Sequence, residues 1–220
     1  MFIPFADLEG DPAVHGFLHS PSVLGEDCVV LTHGAGANCQ SKLLVEISDE
    51  LAASGFTVLR FDLPFRRARP YGPPPFGSAA KDRDGLRRAV AVMRNRRNGR
   101  IFLGGHSYGG RQASMLISEE PQVADGLFLL SYPLHPPRKP DELRTKHFPK
   151  VDKPAFFAHG TRDSFGTITE VKSALELIPA AHALFELKGA GHDLLFKTSG
   201  SESLAELVRE FKKFQNKVVP

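Results

Sequence analysis

The stretch Leu103-Gly104-Gly105-His106-Ser107-Tyr108-Gly109-Gly110-Arg111 limits the possible folds more than any other part of the chain. The apolar run Ile101 to Leu103 ahead of it reads as a buried strand, and Gln112 to Glu119 after it reads as a helix. Gly105 and Gly109 stand two residues either side of Ser107, where a chain turning abruptly from strand into helix has little room for side chains. Such a turn holds the serine in a strained conformation and presents its hydroxyl at a helix N-terminus, where a developing anion is favoured. Ser107 is therefore a candidate nucleophile. A glycine-rich helix start with a buried serine is the plainer alternative.

A serine hydroxyl attacks when a base takes its proton and an acid orients that base. The chain has nine histidines, and His192 stands apart because Gly189-Ala190-Gly191-His192-Asp193 directly follows the apolar segment Ala183 to Leu187. Asp163, in Gly160-Thr161-Arg162-Asp163, follows the segment Ala155 to Ala158 in the same way. Asp193 is the rival acid, but a residue cannot readily turn back onto its neighbour's ring nitrogen, so Asp163 is favoured. His106 and His159 read as structural. The oxyanion of a tetrahedral intermediate needs two donors. The backbone N–H of Tyr108 supplies one, and Ala35 or Gly36 in His33-Gly34-Ala35-Gly36-Ala37 supplies the other.

Strands are expected over Val14–His19, Cys28–Thr32, Phe56–Phe61, Ile101–Leu103, Gly126–Ser131, Ala155–Ala158 and Ala183–Leu187. Helices are expected over Leu43–Ser54, Ala79–Arg96, Gln112–Glu119, Ile168–Ile178 and Glu202–Lys217, with Pro-rich loops at Pro64–Gly77 and Pro133–Pro149. This alternation implies an α/β fold, a doubly wound and mainly parallel sheet with helices on both faces, whose ligands bind beyond the carboxyl ends of the strands. A chain of 220 residues suits a single domain over residues 1–220. Pro133–Pro149 holds five prolines in 17 residues, too little chain for a separate lid domain. A shallow, open pocket and a small or exposed acyl group are expected.

No apolar run approaches the roughly 20 residues of a membrane span, and the first residues lack a basic segment followed by an apolar one. The expectation is a cytoplasmic protein without a membrane partner. Cys28 and Cys39 show no metal-ligand spacing, and no metal or organic cofactor is implied, although Cys39 follows the His33 loop closely. The net charge of +3 is lopsided: Arg60 to Arg100 carries 12 Lys or Arg against three Asp, hence +9, and the remainder −6. Leu86, Ala89, Val90 and Met93 recur at helical spacing, which puts Arg83, Arg87, Arg94 and Arg97 on the solvated face. No aromatic-interleaved or helix-turn-helix pattern accompanies the charge, so nucleic acid is not an expected partner. Arg111 sits in the first turn of a helix, where a cation is disfavoured by roughly 0.3–1 kcal/mol. Either Asp62 pairs with it, or Arg111, with Arg66 or Arg67 from the preceding loop, receives an anionic group of a substrate.

Several segments carry a resemblance beyond the elbow: the His33-Gly34-Ala35-Gly36 loop, Phe61-Asp62-Leu63-Pro64-Phe65, Tyr132-Pro133-Leu134-His135-Pro136-Pro137 with Leu143-Arg144, and His159-Gly160-Thr161-Arg162-Asp163-Ser164-Phe165-Gly166-Thr167. Over nearly its whole length the chain resembles the small dienelactone-hydrolase-like branch of the α/β-hydrolases, and within it the KANL/Tex-type domain group. The order Ser107, Asp163, His192 is the order of that superfamily. The resemblance implies a serine hydrolase fold of largely unknown substrate; with the residues above, the expectation is a serine hydrolase that cleaves a small-molecule ester or thioester through an acyl-enzyme. Dienelactone hydrolases use a cysteine nucleophile where this chain has Ser107, so cleavage of dienelactones is not implied. One relative of this domain is a subunit of a chromatin complex, which makes a non-catalytic interaction domain the alternative.

Overall fold

A computed structural model describes residues 2–21, 25–195 and 200–218. Eight strands form one sheet: β1 (Phe2–Asp7), β2 (Val14–His19), β3 (Cys28–Thr32), β4 (Thr57–Phe61), β5 (Ile101–His106), β6 (Gly126–Leu130), β7 (Ala155–Gly160) and β8 (His182–Leu187). Their spatial order is β1-β2-β4-β3-β5-β6-β7-β8. β1 and β2 run antiparallel to their neighbours, and every other pairing is parallel. Six helices cover it: α1 (Lys42–Ala53), α2 (Pro64–Ala68), α3 (Ala79–Arg94), α4 (Tyr108–Glu119), α5 (Ile168–Leu175) and α6 (Gly200–Val218).

The inner strands β3 to β7 are buried along most of their length, as their continuous apolar runs require when both faces are covered. Successive residues point to opposite faces. Val30, Leu103, Leu127 and Leu129 therefore pack with Leu86, Met93, Leu116 and Val171 of α3, α4 and α5. Val29, Phe102, Phe128 and Phe156 pack with Leu44 and Ile47 of α1 and Leu207 and Phe211 of α6 on the other side. Phe211 anchors that layer, its ring centroid 4.5 Å from Phe128, 5.1 Å from Phe102 and 5.5 Å from Phe156.

Two elements depart from the sequence reading. β1 was not expected; its Phe2-Ile3-Pro4 stretch lies on the sheet edge with exposed side chains, so it lacks the buried alternation that marks a strand. Within the expected loop Pro64–Gly77, Pro64 starts the short helix α2 at its first position, where a missing N–H costs nothing. Between β6 and β7 the chain forms only a single 3-10 turn, Phe148–Lys150, in agreement with the absence of a lid domain there. Among the described residues, no helix is long and apolar enough to cross a membrane.

Much of the basic band is paired within the chain. Arg83 bonds Glu119, Arg87 bonds Asp84 and Glu120, Arg88 meets Asp7, Arg94 meets Asp125 and Arg100 grips Asp27. Buried Arg60 donates to the Cys39 carbonyl and to His19 Nε2.

Candidate active site

β5, β7 and β8 end on the same carboxyl-terminal side of the sheet, with β6 between β5 and β7, and each delivers one residue there. Ser107 follows β5 with φ 51° and ψ −114°, a conformation that L residues rarely adopt and that costs on the order of 1–3 kcal/mol. The glycines on either side make the turn possible. A Cβ on Gly105 would stand 2.2 Å from the Thr32 carbonyl oxygen, and one on Gly109 2.7 Å from that of His33. The Ser107 N–H donates to the Leu130 carbonyl, fixing the turn to β6.

Ser107 Oγ lies 2.8 Å from His192 Nε2, and His192 Nδ1 lies 2.8 Å from Asp163 Oδ2. The carboxylate accepts, so Nδ1 carries the proton and Nε2 faces the hydroxyl as an acceptor. The Asp163 side chain is fully buried. Burial pushes its carboxyl up, but the hydrogen bond and charge of His192 and the Phe165 N–H on Oδ1 more than offset this and hold it below its ordinary value. His159, whose Nε2 donates to the Gly166 carbonyl at 2.8 Å, stands 3.7 Å from the same carboxylate. Asp193 is exposed and, among the described residues, bonds only within its own turn, to the Leu195 N–H at 3.3 Å. The three residues picked out as nucleophile, base and acid are thus brought into one hydrogen-bonded chain.

The His33–Ala37 loop, after β3, closes the other side. Gly34 lies against the nucleophile: a Cβ there would be 3.4 Å from Ser107 Cβ and 2.9 Å from His106 Nδ1. His33 is buried and neutral, accepting the Leu63 N–H at Nε2 and donating from Nδ1 to the Gly34 carbonyl. Burial first, then the nearby Arg66, lower its pKa. The Tyr108 backbone begins α4 next to Ser107, while its hydroxyl donates to buried Asp82 at 2.7 Å. Asp82 also accepts from the Phe65 N–H, which ties α2 to α3 beside the elbow.

The arginines fall out differently from expectation. Arg66 is not free to meet a ligand: its guanidinium donates to the carbonyls of Ala35, Ala37, Arg69 and Gly72, so it braces the Ala35–Ala37 turn against the Pro-rich loop. Arg67 is exposed and lines a separate recess with Phe5, His15, Phe17, Cys39 and Asp62. Asp62 does not pair with Arg111. It accepts the Cys39 N–H at 2.7 Å and lies 3.7 Å from His33 Nε2, two strands from β5. The Cys39 thiol is pushed up to about 12, by burial first and then by Asp62, which makes it a poor nucleophile.

Two contacts at the site lie beyond the sequence reading. Phe165 stacks on the His192 ring, centroids 4.1 Å apart, and its N–H holds Asp163. His106, read as structural, donates from Nε2 to the His192 carbonyl at 2.7 Å. Only the closeness in sequence of Phe165, two residues after Asp163, and of His106, next to Ser107, hinted at either.

Solved structures share this architecture. A serine hydrolase homologue from Coxiella burnetii superposes with a TM-score of 0.75 at 16% identity, over 94% of this chain and 96% of that one. A dienelactone hydrolase from Anabaena variabilis gives 0.75 at 18% identity, over 100% and 99%. Est1E from Butyrivibrio proteoclasticus gives 0.73 at 18%, over 97% and 99%. At such identities the likeness speaks for the fold alone. Residues 25–219 match the family described as alpha/beta hydrolase domain, which is most of the chain, including every residue of the Ser107, His192 and Asp163 set. This chain belongs to the alpha/beta hydrolase family.

Proposed function

We propose that this protein is a serine hydrolase that cleaves an ester or thioester of a small or exposed acyl group through an acyl-enzyme. The observation that carries the reading is the continuous chain from Ser107 Oγ through His192 to Asp163 on a serine held in a strained turn. His192 Nε2 takes the hydroxyl proton as Oγ bonds to the substrate carbonyl carbon. The oxyanion is held by the Tyr108 N–H and by that of Ala35 or Gly36. The C–O or C–S bond then breaks, and His192 gives its proton to the departing alcohol or thiol. Water repeats the sequence: His192 removes its proton as the water oxygen bonds to the acyl carbon, the acyl–Oγ bond breaks, His192 returns the proton to Oγ, and the carboxylic acid leaves with Ser107 restored. Asp163 holds the imidazole in the required tautomer throughout. Cys28 and Cys39 are buried and unpaired, which fits a cytoplasmic setting.

A panel of p-nitrophenyl esters and acyl thioesters of graded chain length tests this reading. Turnover above background, greatest for short acyl groups, is expected. No turnover on any member would favour the alternative, an interaction domain that has kept the fold.

A further inference from the structure

Arg111 lies one helical turn beyond Ser107, its N–H bonded to the Ser107 carbonyl. Its Nε–H is buried without an acceptor, and among the described residues no carboxylate stands within ion-pair distance of its guanidinium. Its polar neighbour is the Tyr132 hydroxyl, which itself donates to the Arg144 carbonyl at 2.6 Å. Arg144 is the second half-buried cation at this place. Among the described residues its guanidinium makes one hydrogen bond, a long one, 3.4 Å from Nη1 to the Pro133 carbonyl. The carboxylate whose field reaches it, Glu142, is exposed and bonded to Lys139 at 2.7 Å. His147, bonded to Ser114 at 2.8 Å, completes the cluster; burial and then Arg111 push it down to about 4, so it is neutral and contributes no charge. Two guanidiniums thus share a half-buried setting in which, among the described residues, neither has a carboxylate within ion-pair distance, an arrangement that an oxyanion between them relieves.

Both arginines are tied to segments that reach the site: Arg111 follows Ser107 on α4, and the Arg144 N–H donates to the Leu134 carbonyl at 2.8 Å. The segment that carries Tyr132 leaves β6 beside Ser107, and three residues later the His135 N–H donates to the carbonyl of Phe165, the residue stacked on His192. Resting on the serine hydrolase reading above, we infer that Arg111 and Arg144 form a subsite for an oxyanion carried by the acyl group, so that the preferred substrate is an ester or thioester of a short diacid. Four residues of helix advance about 6 Å, which suits a carboxylate separated from the scissile carbonyl by roughly two to four methylenes.

The test compares mono-p-nitrophenyl glutarate with p-nitrophenyl pentanoate, esters of equal chain length that differ in the terminal carboxylate. Wild-type protein is expected to favour the glutarate by about 10-fold or more in kcat/KM, with the preference fading as NaCl rises. Arg144→Gln is expected to lower that ratio about 10-fold, chiefly through KM of the glutarate. Arg111→Lys, which keeps charge but loses the fork, is expected to give an intermediate ratio and serves if Arg144→Gln does not fold. An equal rate on both esters in wild-type protein overturns the subsite while leaving the hydrolase reading intact. Stabilisation of wild-type protein but not Arg144→Gln by millimolar inorganic phosphate, without any preference for the glutarate, would show a free anion instead and also overturn it. Failure of wild-type Ser107 to react with a fluorophosphonate would remove the hydrolase reading, and the subsite with it.

Discussion

His106 Nε2 donates to the backbone carbonyl of His192 at 2.7 Å, so the residue before Ser107 holds the turn that carries His192. The two rings lie 5.0 Å apart, and His106 is pushed down to about 4 by burial first, with the His192 bond working against that. His106 therefore positions His192 and takes no proton itself near neutral pH. His106→Phe is expected to lower kcat by about 10- to 100-fold with KM little changed, because misplacement of a base by an ångström has effects of that size. Equal loss in kcat and gain in KM would point to a general collapse of the pocket.

The proposed role of Asp163 as the acid rests on its 2.8 Å contact with His192 Nδ1, which allows a direct comparison. Asp163→Asn keeps the shape but removes the acceptor that selects the His192 tautomer, and a fall in rate of roughly 10⁴-fold with folding preserved is expected. Asp193→Asn is expected to leave the rate within about 2-fold, since among the described residues Asp193 bonds only its own turn. The reverse ranking would overturn the assignment.

Strain at the elbow has a stability consequence. Ser107→Gly relieves a positive φ that Ser107→Ala retains, so the glycine variant is expected to be the more stable of the two by about 1 kcal/mol in denaturant unfolding. Both are expected to be inactive.

Buried histidines set the acid stability. His19, His106 and His147 are each pushed down to about 4, in every case by burial first. Histidines in the unfolded chain protonate near about 6.5. Between these values the unfolded state binds more protons, so unfolding free energy falls as pH drops through that window. Asp163, held below its ordinary value, adds to the loss once the pH falls below the usual carboxylate range. The shift at His106 alone is worth on the order of 3 kcal/mol, and the melting temperature is expected to fall by roughly 10 °C or more from pH 7 to pH 4. A flat profile would mean these imidazoles are already solvated.

The three residues of the site were legible because each follows an apolar run that ends a strand, and parallel strands deliver their carboxyl ends to one edge. That Asp62 would not pair with Arg111 was not. Asp62 also follows a strand, but β3 lies between β4 and β5, and at about 4.8 Å per strand the carboxylate is out of reach. Strand order is a property of tertiary pairing that spacing along the chain does not encode. The same limit hid the brace formed by Arg66, whose four carbonyl acceptors come from two loops about 30 residues apart in sequence. β1 escaped notice for a different reason: an edge strand with exposed Phe2 and Ile3 carries no buried face for its pattern to reveal.

The central claim is that Ser107 is an activated nucleophile, and covalent labelling measures that without knowledge of the substrate. Intact-mass spectrometry after incubation with a fluorophosphonate is expected to show one adduct on wild-type protein, mapped to Ser107, and none on Ser107→Ala. Wild-type protein that stays unlabelled while correctly folded, or an adduct that persists in Ser107→Ala, would contradict the account.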